Sequence, residues 1–510
     1  MSVDRFVPVP LPRWESRLCW LVWILHSGAA FYIAVKVSQG ELSLWIEHWL
    51  TNSSYVEGGK MDLSDIEWDH FRNTVVHSLT DYCLHSIRFF LITRYVEPKW
   101  VKLALFGTGI LLQLHMTSPT CVLILAAFAF VVTSLSVITR SIALPWIMCI
   151  SFVLKASDVV PFTMDNHVYY REFNIYLYGA IKILNFSLYL CQNKDKRYLD
   201  VWQDHLVYLI YLPYSMTLIV LYDDFVGQLD RRLSHRSEHY RSFVDLRSVA
   251  WFGARLVFWY FAFEFMLHFI YVHSLFNSPF AVIHRLSTYE KCAVAYVTGQ
   301  LFHVKYVVLF GFPALFAYID GLQPPPPPTC ISRVAHYSQM WRHFDVGLYR
   351  FLKNQVYIPL LRKELPISLA IIRNLGTLTA VFGVVLAWHG LKMHYMCWVL
   401  LSASELIMER IGRVIWNTSS FQDLRHAIGD LNTRRLVAVA TIPVIIPGVG
   451  LEIFNSVLVT GVKEILSGII YPFSTGFIIA HMAVLGYFFS NVCLQFEETC
   501  SARDKDLKRK

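Results

Sequence analysis

The stretch LGTLTAVFGVVLAWHGLKMHYMCW, residues 375–398, begins with an apolar run that ends at His389 and contains no Arg, Lys, Asp or Glu. With its flanks, this run is long enough to cross the roughly 30 Å hydrocarbon core of a bilayer as a helix. Because lipid offers no hydrogen-bond partner to a peptide group, a chain that crosses it must satisfy its backbone internally. The stretch therefore predicts a helical membrane protein with a histidine at the end of an apolar helix.

The rest of the chain shows the same character. Of its 510 residues, 55% are hydrophobic and 16% are charged, a composition typical of membrane proteins. Further apolar windows approach or exceed the about 20 residues that a membrane span needs: 18–38, 120–139, 203–222, 250–273, 294–319, 435–460 and 467–490, with weaker windows at 75–93, 103–117, 142–160, 172–191 and 394–411. We expect an all-α, polytopic membrane protein in which residues 1–510 form a single domain, with about ten to twelve transmembrane helices and further re-entrant or interfacial helices.

The charge distribution predicts how the chain lies across the membrane. The formal net charge is +8, and basic residues cluster in short loops at 194–197, 231–241 and 434–435 and in the tail SARDKDLKRK. This positive-inside pattern is typical of a membrane protein and gives no support to nucleic-acid binding. The loop 38–74 instead holds seven acids and two bases, which suits the opposite, lumenal side.

Two further patterns concern processing and cross-linking. The first apolar run is too long for a typical signal peptide and has no small-residue cleavage site after it, so we expect it to be retained as the first helix. The ten cysteines lie singly, without a CxxC pair or the spacing of a metal finger. We therefore interpret the cysteines as small buried hydrophobic residues and expect no disulfide scaffold.

Ionisable residues inside apolar windows are candidates for function, because placing one at membrane depth costs at least about 2.5–3.5 kcal/mol. One such window contains Arg255, Glu264 and His268. Glu264 and His268 are four residues apart and therefore share a helix face. We favour an internal hydrogen-bonded pair over a metal site, for which two ligands would be only half. His303 and Lys305 project in different directions, and either a polar cavity or snorkelling to an interface would accommodate them.

His389 can be interpreted in two ways. The simpler interpretation is a hydrogen-bonded histidine at a helix end. The functional interpretation is a proton carrier, because histidine changes its charge near physiological pH. The glycine that follows, Gly390, favours the functional interpretation, since it would let backbone approach closely and the imidazole face a cavity.

The segment 323–330, QPPPPPTC, leads into an aromatic stretch that also carries charged side chains. Five consecutive prolines cannot form a helix, so this segment is predicted to be a stiff connector. The stretch that follows, SQMWRHFDVGLYRFLKNQVYIPL at 338–360, is predicted to be an amphipathic interfacial or re-entrant helix. Within it, Asp345 lies one turn from Trp341 and Tyr349, so the three could share a face. Its basic rim, which includes Arg342, could hold an anionic group such as the phosphates of coenzyme A.

The two stretches together resemble a known family. CISRVAHYSQMWRHFDVGLYRFLKNQVYIP at 330–359 and AWHG at 387–390 are similar to the membrane-bound O-acyltransferases, and in particular to their hedgehog acyltransferase branch. Most of the wider family carries asparagine where this branch carries the acid at 345. The resemblance is specific over about 294–400, and it predicts a catalytic core over 200–490.

The resemblance implies an activity. Hedgehog acyltransferases take palmitoyl from palmitoyl-coenzyme A and place it, as an amide, on the N-terminal cysteine of a secreted signalling protein. They work in the endoplasmic reticulum membrane, with the donor entering from the cytosol and the acceptor from the lumen. The resemblance therefore implies an acyl-CoA donor, a hedgehog-like acceptor and surrounding lipid as partners, and we expect a monomer.

Site residues are implied by position. His389 matches the catalytic histidine, and Asp345 matches the branch-specific acid. Trp341 matches the tryptophan beside the acyl chain, and we add Arg342 and Trp388 as acyl-CoA-binding residues. The resemblance also implies that Cys330 is an axial ligand of a haem b iron. The residues alone leave open whether Asp345 orients the histidine, orients the amine or acts as an acid.

One segment departs from the family pattern. Residues 211–225, YLPYSMTLIVLYDDF, keep Pro213, Tyr222 and Phe225 of the cytosol-side motif but lack its Gly-Pro, and they carry Asp223 and Asp224. Acids are unexpected where an anionic cofactor enters.

Other functions fit the same pattern less well. They are transfer of an acyl group to serine or to a lysolipid on the same fold, regulation by a non-catalytic homologue, and secondary transport. The altered segment 211–225 supports the regulator best, whereas the intact His389 supports an enzyme.

Overall fold

The computed structural model describes residues 6, 8–53, 55–236, 244–278, 281–361, 367–442 and 476–509. Within these ranges the protein is a bundle of helices. They are α1 Arg13–Gln39, α2 Ile66–Tyr95, α3 Pro98–Met116, α4 Pro119–Thr139, α5 Ala143–Val159, α6 Asn166–Gln192, α7 Tyr198–Ile210, α8 Tyr222–Ser234, α9 Leu246–Met266, α10 Val272–Asn277, α11 Thr288–Ile319, α12 Tyr337–His343, α13 Val346–Leu352, α14 Ile358–Leu361, α15 Ile367–His389, α16 Met393–Trp416, α17 Ser419–Ala440 and α18 Gly476–Arg509. A short antiparallel hairpin, β1 (Thr51–Asn52) and β2 (Lys60–Met61), precedes α2 and pairs Thr51 with Met61.

Five of the described helices are long and apolar enough to cross a membrane. They are Arg13–Gln39, Pro119–Thr139, Leu246–Met266, Thr288–Ile319 and the part of α15 from Ile371 to His389. The predicted fold class, an all-helical polytopic membrane protein, is confirmed. The predicted window 435–460 lies largely outside the described residues, the window 467–490 is described only from residue 476, and the total of ten to twelve spans stays a prediction.

Other long helices lie inside the bundle and carry polar residues there. Helix α6 packs against α4 and α5 and is buried along most of its length, including the charged side chains of Arg171 and Lys182. Helix α11, although one of the five membrane-length helices, is also half buried in the bundle and packs against α1 and α9. Such interior helices can carry charges because neighbouring helices supply the partners that lipid cannot.

Helix α2 joins the acidic and the basic regions of the chain. It begins at Ile66, within the acidic stretch 38–74, with Asp65 as its N-cap, and it extends for 30 residues, or about 45 Å. At its far end, Arg94 donates to the backbone carbonyl of Arg236 in the basic segment, at 2.6 Å. The acidic and basic loops therefore lie at opposite ends of the bundle, as the positive-inside pattern predicts.

The predicted membrane window 203–222 is wrong as a continuous helix. Helix α7 ends at Ile210, a short 3₁₀ turn follows at Leu212–Tyr214, and α8 begins only at Tyr222. Because proline cannot donate a helical hydrogen bond, Pro213 does not continue α7. Buried Lys182 donates to the carbonyls of Leu209 at 3.1 Å and Tyr211 at 3.3 Å, so its ammonium takes the place of the missing helical donors.

The stretch 338–360 is likewise not one helix. It is divided into α12, α13, a π-helical turn at Lys353–Tyr357 and α14. The break falls at Asp345, which is the N-cap of α13 and accepts a hydrogen bond from the Leu348 amide at 2.9 Å. The predicted shared face of Trp341, Asp345 and Tyr349 is therefore wrong, because Trp341 and Asp345 belong to different elements.

The break is fixed by a close backbone contact at Gly347. A Cβ atom at this position would lie 2.3 Å from the carbonyl oxygen of Ile219, in the irregular segment between α7 and α8. Only glycine lets these two backbones approach so closely. The contact joins segment 211–225, which departs from the family pattern, to helix α13, which Asp345 caps.

The predicted pair of Glu264 and His268 is only partly correct. Their side chains do not bond to each other: Glu264 accepts from the Trp68 indole at 2.7 Å and from Arg72 at 3.2 Å. His268 contacts the Ser53 hydroxyl at 2.7 Å and its own helix carbonyl at 2.9 Å. Both residues therefore hold α9 to α2 and to the acidic loop, while Arg255 lies exposed on the outside of α9.

We expect Gly347→Ala to destabilise the fold, because the added methyl group would overlap the Ile219 carbonyl and force one backbone to move. The destabilisation should be at least about 1–3 kcal/mol, measured by thermal unfolding of the detergent-solubilised protein. Gly376→Ala on the exposed face of α15 is the matched control, since a Cβ there meets nothing within 4 Å. Equal melting temperatures for the two variants would contradict the assignment.

Candidate active site

His389 ends helix α15, and the residue after it explains the geometry. Gly390 has a φ of +97°, a conformation that L side chains rarely adopt, and its amide donates to the Leu386 carbonyl at 2.9 Å. A Cβ at Gly390 would meet nothing within 4 Å. The expectation that Gly390 permits close backbone approach is therefore wrong, because the glycine serves to end the helix.

Two aromatic rings of α16 hold the His389 imidazole. The ring of Trp398 meets it edge-on, with centroids 5.0 Å apart, and the ring of Tyr395 lies 5.4 Å away. Trp398 is only 8% exposed, whereas His389 is half-buried. Among the described residues, no side chain or backbone group forms a hydrogen bond with the imidazole, so both nitrogens are available to a substrate.

Trp341 reaches the same place from α12. Its indole stacks on Trp398 at 5.6 Å and meets Phe382 of α15 edge-on at 5.3 Å. Trp398 thus touches both Trp341 and His389, and the structure brings these two predicted site residues together through it. The Trp341 Nε1–H is buried and has no partner among the described residues, although leaving such a donor unpaired costs about 1–3 kcal/mol.

Asp345 lies at the break between α12 and α13, where its carboxylate caps α13. The side chain is partly accessible, yet the dense surrounding packing disfavours its charge and raises the pKa of Asp345 to about 6. In the described part of the chain no contact joins Asp345 to His389. Asp345 does lie within electrostatic reach of the Tyr178 hydroxyl, and the ring of Tyr178 meets Trp388 edge-on at 4.9 Å.

A cluster of ion pairs adjoins the site on the side of the acidic loop. Lys305 of α11 contacts the carboxylates of Asp65 at 2.8 Å and Glu67 at 2.9 Å, and Tyr306 donates to Glu67 at 2.9 Å. His273 lies 3.7 Å from Asp65. Lys305 is therefore buried in ion pairs rather than snorkelling to an interface.

This ion cluster reaches the catalytic region through aromatic side chains. Tyr306 packs against Phe344, the residue before Asp345, with ring centroids 5.6 Å apart. The hydroxyl of Tyr395, whose ring contacts His389, lies within electrostatic reach of Glu67 and Lys305. Glu67 itself keeps 40% of its side chain exposed.

Several of these residues were not predicted from the sequence. Trp398 and Tyr395 belong to a weak apolar window, and Glu67 was counted only as one acid of a lumenal loop. Trp398 and Tyr395 are three residues apart on one predicted helix, shortly after His389. This spacing puts both rings on one face and could have identified them from the sequence. Glu67 offers no such local signal, because it meets Lys305 only through the fold.

Cys330 is the last residue of the proline-rich segment 323–330, which forms no helix or strand. Its thiol is free and half-buried, and its sulfur lies 3.1 Å from the Ser332 hydroxyl and 3.6 Å from the Gln300 side-chain oxygen. A thiolate here could accept a hydrogen bond from Ser332. An accessible, unbridged sulfur with a hydroxyl donor fits the requirement for an axial haem ligand.

A polar cavity of about 560 Å³ opens at the other end of the bundle. It is lined by Asp223, Asp224, Gly227, Gln228 and Arg231 of α8, Gln323 and Pro324 of the connector, and Arg350 of α13. The charges of the two acids of segment 211–225 are thus balanced by two guanidinium groups. Arg342, the predicted acyl-CoA-binding arginine, is half-buried on α12 and does not line this cavity.

Comparison with known proteins gives a consistent result. The model of the membrane-bound O-acyltransferase family matches residues 204–446. The protein-cysteine N-palmitoyltransferase HHAT of Mus musculus is 29% identical over 418 residues, which cover 77% of this chain and 80% of the relative. The protein-cysteine N-palmitoyltransferase Rasp of Drosophila melanogaster is 26% identical over 418 residues, or 80% of this chain and 79% of the relative. The HHAT-like protein of Mus musculus is 25% identical over 322 residues, 59% of each chain.

The matched region contains the elements that carry or adjoin His389, Asp345 and Trp341: the segment between α7 and α8, α11, α12, α13, α15 and α16. Tyr178 of α6 and the Asp65 and Glu67 carboxylates precede it. The chain belongs to the membrane-bound O-acyltransferase family, in its hedgehog acyltransferase branch.

Proposed function

We propose that the protein transfers palmitoyl from palmitoyl-coenzyme A to the N-terminal cysteine of a secreted, hedgehog-like protein, with His389 as the general base. The supporting observation is the placement of His389 at the glycine-terminated end of α15, against two rings of α16 and with no hydrogen-bond partner among the described residues. The relatives that carry the name protein-cysteine N-palmitoyltransferase support the acceptor and the donor.

The acyl donor is a thioester and is already activated, so the enzyme must mainly supply a base for the attacking amine. The amine nitrogen attacks the thioester carbonyl carbon, a C–N bond forms, the C–S bond breaks, and coenzyme A leaves as a thiolate. His389 takes the proton of the attacking amine and can return it to that thiolate. A positioned general base of this kind contributes about 10²–10⁴ in rate.

Asp345 supplies a negative charge near the reaction. With a pKa of about 6, its carboxyl is ionised at neutral pH and can stabilise the cationic imidazole or the incoming amine. Its second task, capping α13, keeps the carboxylate in place. The cap alone would be served equally well by asparagine, so the acid has a role beyond the cap.

The acceptor would approach from the acidic end. A free α-amino group has a pKa of about 7.7–8.0 and is largely cationic at neutral pH. The partly exposed carboxylate of Glu67, fixed by Lys305 and Tyr306, is suited to attract it. His389 lies next along this path, since Tyr395 contacts its ring.

The donor would approach from the basic end. Arg231 and Arg350 in the polar cavity offer guanidinium groups to the phosphates of coenzyme A, and Arg342 lies on the way to Trp341. Asp223 and Asp224 can accept hydrogen bonds from ribose hydroxyls or from an adenine amino group. The acyl chain would then pass beside Trp341 and Trp388. We propose the endoplasmic reticulum membrane as the site of this reaction, with the basic end of the bundle in the cytosol.

Haem b, if bound, would be held by the Cys330 sulfur. Bound there it would supply structural support at the junction of the connector and α12 rather than chemistry for acyl transfer. Ser332 would hold the thiolate by donating a hydrogen bond.

We expect His389→Ala to abolish transfer of a labelled palmitoyl group to an N-terminal-cysteine peptide, with a loss of at least about 10²-fold in kcat. The assay uses purified full-length protein and peptides that begin with Cys, Ser or Gly. His426→Ala on the exposed surface of α17 is the control and should keep full activity. Full activity of His389→Ala would exclude it as the base, and preference for the Ser peptide would exclude the N-cysteine acceptor.

Asp345→Asn separates the helix cap from the charge. Asparagine caps a helix as well as aspartate does, so the melting temperature should stay within about 2 °C while kcat falls about 10²-fold. The wild-type rate should fall as the pH drops through about 6, where Asp345 becomes protonated, and the variant should lose that limb of the pH profile. If the variant is active and its pH profile is unchanged, the only role of Asp345 is to cap α13.

Purified protein from haem-replete cells should show a Soret band that Cys330→Ala loses, because the axial sulfur is removed. Cys83→Ala is the matched control and should retain the band. Cys83 is a free cysteine that lies exposed on α2, so its predicted burial is wrong. A colourless wild-type protein would remove the haem from the proposal.

A further inference from the structure

Acyl transfer through a tetrahedral intermediate needs a hydrogen-bond donor for the oxyanion, and His389 cannot be that donor while it acts as the base. The donor must therefore come from another side chain or from the backbone near the imidazole. The useful candidates are side chains that have a free N–H or O–H and that already touch the groups around His389.

Lys305 and Tyr306 are excluded by their own partners. The Lys305 ammonium is engaged by Asp65 and Glu67, and the Tyr306 hydroxyl donates to Glu67. The hydroxyls of Tyr178 and Tyr395 lie within electrostatic reach of carboxylates, Asp345 and Glu67 for the first and Glu67 for the second. Negative charge at those positions would repel an oxyanion.

Trp341 satisfies the requirement. Its Nε1–H is buried and unpartnered among the described residues, and an indole nitrogen can only donate. The rings that it touches are those of Trp398 and Phe382, which carry no charge. An oxyanion beside this N–H would therefore meet a donor without a competing acid.

The indole is also held rigidly. Two residues of α12 are fixed to α16: Tyr337 bonds to the Ser402 hydroxyl at 2.8 Å, and Ser338 donates to Glu409 from its amide at 2.8 Å and its hydroxyl at 2.6 Å. The same helix α16 carries Trp398, which contacts both Trp341 and His389. The donor and the base are thus positioned by one helix, as a preorganised oxyanion site requires.

We propose that the Trp341 indole N–H is the oxyanion donor of the acyl transfer and hydrogen-bonds to the thioester carbonyl oxygen. As the amine attacks the carbonyl carbon, the C=O π electrons move to this oxygen, and the N–H stabilises the charge without giving up its proton. When the C–S bond breaks, the electrons return and the carbonyl re-forms. This role rests on the proposed acyl transfer and makes Trp341 a catalytic residue, in addition to lining the acyl path.

The test replaces the N–H without changing the shape of the ring. Replacement of Trp341 by 3-benzothienyl-L-alanine exchanges the N–H for sulfur, and Trp341→Phe removes it with a smaller ring. With whichever acceptor the wild type acylates, we expect kcat to fall about 10²–10³-fold in both variants, while the KM for palmitoyl-coenzyme A rises no more than about fivefold. The same replacement at Trp251, exposed on α9, is the matched control and should leave kcat unchanged.

Two results would overturn the proposal. One is a benzothienyl variant whose kcat stays within about threefold of wild type, and the other is a loss confined to Trp341→Phe, which would assign the effect to ring shape. Melting temperatures of all variants identify a loss due to misfolding.

A binding measurement separates this proposal from the proposed function. Wild-type protein should bind palmitoyl-coenzyme A about fivefold more tightly than its thioether analogue, which lacks the carbonyl, and the benzothienyl variant should lose this difference. A difference that persists in the variant would overturn the Trp341 assignment. If wild type acylates no peptide, the proposed function fails, and the binding ratio still decides whether Trp341 donates to the carbonyl.

Discussion

A polar group inside this bundle must find its partner within the protein, because lipid supplies none. Lys182 meets that constraint by donating to the carbonyls that the interrupted α7 leaves open. Lys305 meets it by joining two carboxylates. Asp345 meets it by capping α13. Such partners allow the backbone to be irregular between α7 and α8 and to break between α12 and α13.

The same constraint gives meaning to groups that have no partner. The His389 imidazole and the Trp341 indole both lie among aromatic rings, and no described residue bonds to either. In a soluble protein water would satisfy them. In a buried site that handles a thioester, the substrate itself is the natural partner, since its carbonyl accepts a hydrogen bond and its attacking amine loses a proton.

The sequence predicts the helices that cross the membrane, the charge difference between the two ends and the position of the histidine, because each depends on a local run of residues. It does not predict the breaks at Pro213 and Asp345, where a local pattern of apolar residues favours a continuous helix. The cause of the second break is distant, since Gly347 approaches Ile219 more than a hundred residues away. The roles of Trp398 and Glu67 are hidden for the same reason: a single sequence does not show which distant side chains meet.

The arrangement of charge explains why the reaction can occur at the middle of the bundle. The ends offer different groups, with the partly exposed carboxylate of Glu67 at one end and the guanidinium groups of Arg231 and Arg350, beside Asp223 and Asp224, at the other. In the proposed function a cationic amine would be attracted to the first end and the phosphates of a nucleotide to the guanidinium groups of the second, so the two substrates would enter without competing. Between the ends, the groups that contact His389 are aromatic. Among these rings a thioester loses little by leaving water, whereas the charges that develop during attack depend on the polar groups nearby. In the proposed mechanism three of the described groups stabilise different charges: His389 takes the proton, Asp345 stabilises the cation, and Trp341 stabilises the oxyanion.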